Sequence, residues 1–495
     1  MPASHYFSAG DWLVIALYLL GIIALGVWFG KDQHTTRDYF LGSRNIPWWG
    51  IGLSIVAAET SALTIIGVPG LAYGGNLLFI QMVIGYVFAR IVLAVVMVPH
   101  YFKGEIYSPY QLFANAFGPA ARQTAGGFFL LSETLAAGVR VYVACIPIQL
   151  LLGLQVLPAI VLFVALSLLY TYVGGVKAVI WTDAVQFGLF LLGGIFTLAY
   201  IPTLLEGGFG ATLKEAANAG KLVWFNPKLS LAAPFNLWMG VIGGTFVTLS
   251  SHGAEQLIVQ RVLACKSVAD GRKALALSAV IILPLFLIFL LAGAMLWVFF
   301  QHHPLAIAIP ETRPGIKAND FIYPIFMLTE TPHWLKGFLI VAILSAAMSS
   351  VSSALTSLAS VSTMDFVKPL AGRERSEAFY LRFSKASTIL WAAVLIGVAY
   401  LSRQVEFVLN AAFSLRGLTS GALLGGLMLV LFWKRGSARP VVAGMLAALV
   451  AMIAISVVWK QQVFWPWFTL IGTTITLLVA GVVRCFTHDR TEPGP

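Results

Sequence analysis

Ten of the twenty-one residues in Ser345–Asp365, SAAMSSVSSALTSLASVSTMD, are Ser or Thr. The densest part holds four hydroxyls in five positions: Ser349, Ser350, Ser352 and Ser353. On a 3.6-residue period Ser349, Ser352 and Ser353 share one helix face. Ala346 lies one turn earlier, with a backbone carbonyl that can join the row. Small residues also let membrane helices approach closely. That explains Ser357, Ser360 and Ser362, but it leaves the 349–353 cluster in excess. Hydroxyl and carbonyl oxygens without a carboxylate cage suit a hard cation of low charge, so Na+ is the expected ligand.

A second group of residues able to do chemistry is ionisable. Glu59, Glu133, Arg90, Arg140 and Arg416 fall inside long apolar segments, and Asp183 and Glu255 sit at or near segment ends. Charges at membrane depth face a bundle interior or a wet cavity and mark solute or ion paths. Glu59 and Arg140 either receive a polar solute or pair with each other. Glu133, seven residues before Arg140 and on the same helical face, is another partner for it. Asp183 has a plainer reading as a helix N-cap.

These residues need helices to hold them. The chain has 495 residues, 59% hydrophobic and 10% charged, with a mean hydropathy of +0.88. Soluble domains carry about 25% charge, so the composition specifies an all-α polytopic membrane protein. Thirteen segments are apolar enough to span: 11–30, 46–73, 76–100, 123–150, 155–173, 182–204, 233–253, 274–300, 334–363, 385–402, 405–433, 440–459 and 464–484. The first continues from an N-terminus without signal-peptide features. Two segments carry interruptions, 57-AAETSALTIIGVPGLAYGGN-76 at its Gly-Val-Pro-Gly and 240-GVIGGTFVTLSSHGAEQ-256 at its Gly pair. Paired broken helices in corresponding halves point to a transporter's central site.

Of the 31 Lys and Arg residues, three lie in spans, twenty in loops of one side and eight in loops of the other. The positive-inside rule then puts the N-terminus outside and the C-terminus in the cytoplasm. This accounts for the net charge of +11 without nucleic acid. The three cysteines fit no metal or disulfide spacing. An enzyme is not expected, because His302 and His303 have no convergent carboxylates. Nor is a sensor, because only 485–495 follows the last span.

Five stretches carry a family resemblance: 38-DYFLGSRNIPWW-49, 170-YTYVGGVKAVIWTDAVQ-186, 259-VQRVLACKS-267, 349-SSVSSALTS-357 with 363-TMD-365, and 422-ALLGGLMLVLFWKR-435. In this order they resemble the sodium:solute symporter family. The resemblance implies a LeuT-like fold within one transporter domain over 1–495. An extra helix at 11–30 precedes two inverted five-helix repeats, 46–204 and 233–433, and two helices follow over 440–484. It implies a sodium site made by the carbonyls of Ala57, Thr60 and Ala346 and the hydroxyls of Ser349 and Ser350. It also implies a second sodium site of Asp183, Ser349, Ser352 and Ser353. The implied substrate residues are Glu59, Ser61, Thr64, Phe79 and Arg140, together with Gln81, Glu255 and Gln256. Arg140 takes the place of an arginine that grips a substrate carboxylate. Glu59 departs from sugar and sialate transporters, which have a neutral residue there, and agrees with the proline transporter. The expected function is sodium-coupled import of an amino acid, sugar or organic acid by a functional monomer in a bacterial inner membrane. The alternative is proton coupling through Asp183 or Glu59.

Overall fold

The computed structural model describes residues 7–487 apart from 32, 105, 310, 314–315, 318, 372–374, 405–407, 434 and 460. The basic residues Arg373, Lys434, Lys460 and Arg490 and most of the C-terminal tail therefore lie outside the described residues. The helices of the first half are α1 (Ala9–Gly30), α2 (Thr36–Leu41), α3 (Trp48–Glu59), α4 (Ala62–Gly74), α5 (Ile80–Val92), α6 (Val98–Tyr101), α7 (Tyr110–Phe117), α8 (Pro119–Leu152), α9 (Val156–Tyr200) and α10 (Gly208–Asn218). The second half holds α11 (Gly244–Gly253), α12 (Gln256–Leu263), α13 (Val268–His302), α14 (Ile322–Thr329), α15 (His333–Val361), α16 (Lys368–Leu370), α17 (Glu377–Leu401), α18 (Val408–Trp433), α19 (Ala438–Val458) and α20 (Phe468–Phe486). A short antiparallel ribbon, β1 (Glu311–Arg313) and β2 (Ile316–Lys317), holds the only strands among the described residues.

Ten of the described helices are long and apolar enough to cross a membrane, and the bent pair α3–α4 makes an eleventh passage. α9 has 45 residues, about 68 Å of helix, more than twice the roughly 30 Å hydrocarbon core. Gly175 interrupts it with φ 53° and ψ −153°. A Cβ there would lie 2.4 Å from the Tyr39 carbonyl oxygen, so only glycine permits the turn. The bend divides α9 into two passages, as the segments 155–173 and 182–204 require. The remaining expected passage, 233–253, is represented by a π-helical turn at Met239–Gly243 running into α11.

Both helix breaks fall elsewhere than the glycines and proline suggest. Gly67, Pro69 and Gly70 lie within α4, and the interruption is at Thr60 and Ser61, where the axis bends by 55°. Thr60 adopts an extended conformation, and Ser61 caps α4 by accepting from the Leu63 amide at 3.2 Å. The hydroxyl cap thus starts the second half-helix. In the later segment the Gly243–Gly244 pair is helical, and the break comes at Ala254 and Glu255, between α11 and α12. Each break therefore carries a glutamate, Glu59 or Glu255.

The serine-rich α15 sits at the centre of the bundle. The apolar window of Leu335–Leu370 is 94% buried, against 22% for α1 and 28% for α19. Leu13, Leu17 and Leu20 of α1, and Val450 and Val457 of α19, are exposed, as lipid-facing positions would be. The hydroxyls of α15 consequently face protein. Beyond them, Asp365 accepts from Ser108 at 2.7 Å and from Arg122 Nε at 2.7 Å, tying the end of this segment to α8.

Candidate functional site

α15 packs against α3, α4, α8 and α9. Asp183 of α9 joins the two helices that carry the expected sodium ligands. Its Oδ2 accepts from Ser54 of α3 at 2.6 Å and its Oδ1 from Ser349 of α15 at 2.6 Å. Ser54 lies one turn before Ala57 and Ala58, so the α3 break and the hydroxyl ladder face one another across a single carboxylate. Ser350 donates to the Ala346 carbonyl at 3.1 Å. Two oxygens at that separation fit neighbouring corners of a shell with metal–oxygen distances of roughly 2.4 Å. The Thr60 hydroxyl is buried at the break and has no hydrogen-bond partner among the described residues. An orphaned hydroxyl beside freed carbonyls suits a bound cation, because unpaired buried polar groups are unfavourable otherwise.

Ser352 and Ser353 both donate to the Ser349 carbonyl, at 3.0 and 2.6 Å. Arg261 of α12 reaches the same place. Its Nη2 lies 2.9 Å from Asp183 Oδ2 and also donates to Ser353, while its Nε donates to Ser54 at 2.8 Å. Asp183 and Arg261 are almost wholly buried. The expected segments 233–253 and 274–300 leave Arg261 in a connecting loop counted on the cytoplasmic side; it is instead buried, because α12 folds into the bundle and brings the guanidinium to the aspartate. The second expected ion position carries a protein cation in this conformation.

A cavity of about 80 Å³ lies beside the α3–α4 break. Of the expected substrate residues, Glu59, Ser61, Thr64, Phe79, Arg140 and Glu255 line it. Gln81 and Gln256 do not. The Gln81 amide donates to the Phe235 carbonyl at 2.9 Å and accepts from the Asn226 amide at 3.2 Å, pinning the segment before α11. Gln256 donates to the Tyr107 carbonyl at 2.7 Å and to Ser360 at 3.1 Å. Tyr86, Ser251, His252 and Arg416 also line the cavity, and the sequence reading assigned none of them to the solute. Phe79 packs against Phe286 at 5.6 Å and Phe235 at 5.0 Å, and Phe235 against Phe464 at 5.5 Å, forming an aromatic wall.

The charges around the cavity are matched. Glu59 pairs with Arg90 rather than Arg140, and His252 Nε2 is 3.5 Å from the same carboxylate. Arg90 is further held by the Tyr86 carbonyl at 3.0 Å and Ser278 at 3.1 Å. Glu255 pairs with Arg416, whose Nε donates at 2.6 Å. Arg140 approaches Glu133 at 3.3 Å. Three glutamates thus stand against three arginines. Arg90 and Arg416 are bound by well-made hydrogen bonds, which leaves Arg140 as the guanidinium most available to a ligand.

A sequence profile of the sodium:solute symporter family matches residues 39–448. The sodium/sialic acid symporter SiaT of Proteus mirabilis (strain HI4320) is 29% identical over 489 residues, 97% of this chain and 95% of that one. Human sodium-coupled monocarboxylate transporter 1 is 28% identical over 424 residues, covering 85% of this chain and 68% of that one. Among solved structures, the substrate-bound outward-open state of a Na+-coupled sialic acid symporter, reported to reveal a novel Na+ site, superposes with a TM-score of 0.87. It is 26% identical, over 97% of this chain and 98% of that one. A nucleobase-cation-symport-1 family transporter shares the fold alone, with a TM-score of 0.55 at 14% identity, covering 90% of this chain and 94% of that one. The fold is LeuT-like.

Proposed function

The chain belongs to the sodium:solute symporter family, and we propose that it imports a small carboxylate-bearing solute, with Na+ bound between the α3–α4 break and the hydroxyls of α15. The observation that supports this reading is the Ser54–Asp183–Ser349 bridge, which ties α3 to the hydroxyl-rich α15 through one carboxylate. Ala57, Thr60 and Ala346 would offer carbonyls, and Ser349 and Ser350 hydroxyls.

The charge balance supplies a reason for coupling. With three glutamates against three arginines the empty cavity is neutral. A carboxylate entering on Arg140 adds one uncompensated negative charge, and a sodium ion beside it cancels that charge. Either ligand alone leaves a buried unpaired charge, which is strongly unfavourable. The names of the sialic acid and monocarboxylate relatives agree with an acidic solute. One Na+ entering with a monocarboxylate moves no net charge, so the sodium concentration gradient alone drives that cycle; a second ion makes it electrogenic and adds about 2.3 kcal/mol per 100 mV of membrane potential. The second ion, at Asp183, Ser349, Ser352 and Ser353, binds only when Arg261 leaves the aspartate.

Proton coupling fits less well. Glu59 and Asp183, its two carriers, are each paired with an arginine, so a proton on either would strand a buried guanidinium. Uptake by proteoliposomes under a sodium gradient and under a pH gradient separates the two. Sodium-driven uptake is expected, voltage-sensitive when two ions enter with the solute, and full uptake in choline buffer with a pH gradient would refute it.

A further inference from the structure

Glu133 is 1% exposed, yet among the described residues neither of its carboxylate oxygens accepts a well-formed hydrogen bond. Arg140 Nη1 lies 3.3 Å from Oε1 and Arg416 Nη2 lies 3.9 Å from Oε2. Buried carboxylates ordinarily have hydrogen-bond partners, so a poorly held one between two guanidinium groups calls for a reason. Glu133 does not line the cavity, whereas Arg140 and Arg416 both do. It therefore stands behind the two arginines, on the side away from a solute.

The arrangement is asymmetric. Arg416 is committed to Glu255 through two nitrogens. The described contacts of Arg140 include no other carboxylate than Glu133. In the empty protein Glu133 is what keeps Arg140 from being an unpaired buried cation. Its hold is loose enough to be broken, because a bidentate carboxylate–guanidinium pair from a ligand is geometrically better. Glu133 then has a second cation within 4 Å to turn toward.

We propose that Glu133 is a built-in stand-in for the solute's carboxylate: it neutralises Arg140 while the cavity is empty, and on solute entry it moves to Arg416, drawing α8 toward α18. The proposal rests on the sodium-coupled reading above and adds how the empty carrier keeps its charges balanced.

Binding of radioactive 22Na+ to purified protein tests this without a known solute. Glu133→Gln leaves the cavity one positive charge in excess, so the half-saturating Na+ concentration should rise by about tenfold, the order set by two charges several Å apart in a medium of intermediate dielectric. Adding Arg140→Gln to it restores neutrality and should return the value to that of the wild type. Acetate, as a free carboxylate probe, should rescue Glu133→Gln alone and leave the double variant unaffected. A double variant weaker than either single one, or acetate without effect on Glu133→Gln, would overturn the proposal and leave Glu133 a packing residue. A wild type without saturable 22Na+ binding even in the presence of acetate would instead sink the sodium reading itself. Thermal unfolding of each variant, followed in the same buffer, separates loss of the fold from loss of charge balance.

Discussion

Replacing Arg261 by Gln should turn sodium from an accessory into a requirement for stability. Arg261 is 2.9 Å from Asp183, and both are essentially excluded from solvent. Removing one partner of such a buried pair destabilises by about 3–5 kcal/mol, because the other charge is left uncompensated. In choline chloride the variant should therefore unfold well below the wild type. Sodium can repair this loss by binding among Asp183, Ser349, Ser352 and Ser353, where the guanidinium no longer competes. Occupancy at a hundred times the dissociation constant returns about 2.7 kcal/mol, most of the deficit. The assay is thermal unfolding of purified protein over a NaCl series, with choline chloride holding ionic strength constant. The midpoint of the variant should climb much more steeply with NaCl than that of the wild type. If both climb equally, Arg261 does not compete with an ion at Asp183 and the two-ion scheme loses its basis.

Arg140→Gln should weaken binding of carboxylate solutes by at least tenfold, about 1.4 kcal/mol, while leaving neutral analogues unaffected; isothermal titration against matched pairs of acid and amide checks it. Gly175→Ala should destabilise by about 1–3 kcal/mol from a backbone conformation that is essentially glycine's alone, with the Tyr39 contact adding to that, read as a lowered unfolding midpoint. Burial pushes the Asp320 carboxyl up from its ordinary 3.8 to about 6. Its folded-state pKa exceeds the unfolded one, so its contribution is most favourable below pH 4 and is lost as pH rises through 6. Asp320→Asn should flatten that part of the stability profile, and an unchanged slope between pH 4 and 7 would contradict the assignment.

Much of the architecture was legible because membrane helices advertise themselves by length and apolarity, and α15 by its hydroxyls. The breaks were legible only as to which segment held them. Gly67, Pro69 and Gly70 drew attention to α4, but Pro69 is accommodated inside the helix against Gly293 of α13, where a Cβ would meet the Pro69 oxygen at 2.2 Å. The discontinuity follows instead from Ser61 capping the next half-helix, a weaker signal in sequence. Ion-pair partners were the least legible part. Glu59 and Arg90 are 31 residues apart, and Arg261 and Asp183 are 78 apart. Both pairs depend on how α3, α5, α9 and α12 pack, which no local pattern records. The Arg140–Glu133 pair was foreseeable because both residues lie on one face of α8. Gln81 and Gln256 looked available for a solute because a buried amide satisfied by loop carbonyls is indistinguishable in sequence from one awaiting a ligand.

Sodium coupling requires a sodium ion between the α3–α4 break and the hydroxyl ladder. Ser350 isolates it, since its hydroxyl donates to the Ala346 carbonyl of its own helix and, among the described residues, has no hydrogen bond to Asp183 or Arg261. Measured by 22Na+ binding to purified protein, Ser350→Ala should raise the half-saturating Na+ concentration by tenfold or more with the unfolding midpoint in choline chloride unchanged. An unaltered binding curve in that variant would place the ion elsewhere and contradict the account.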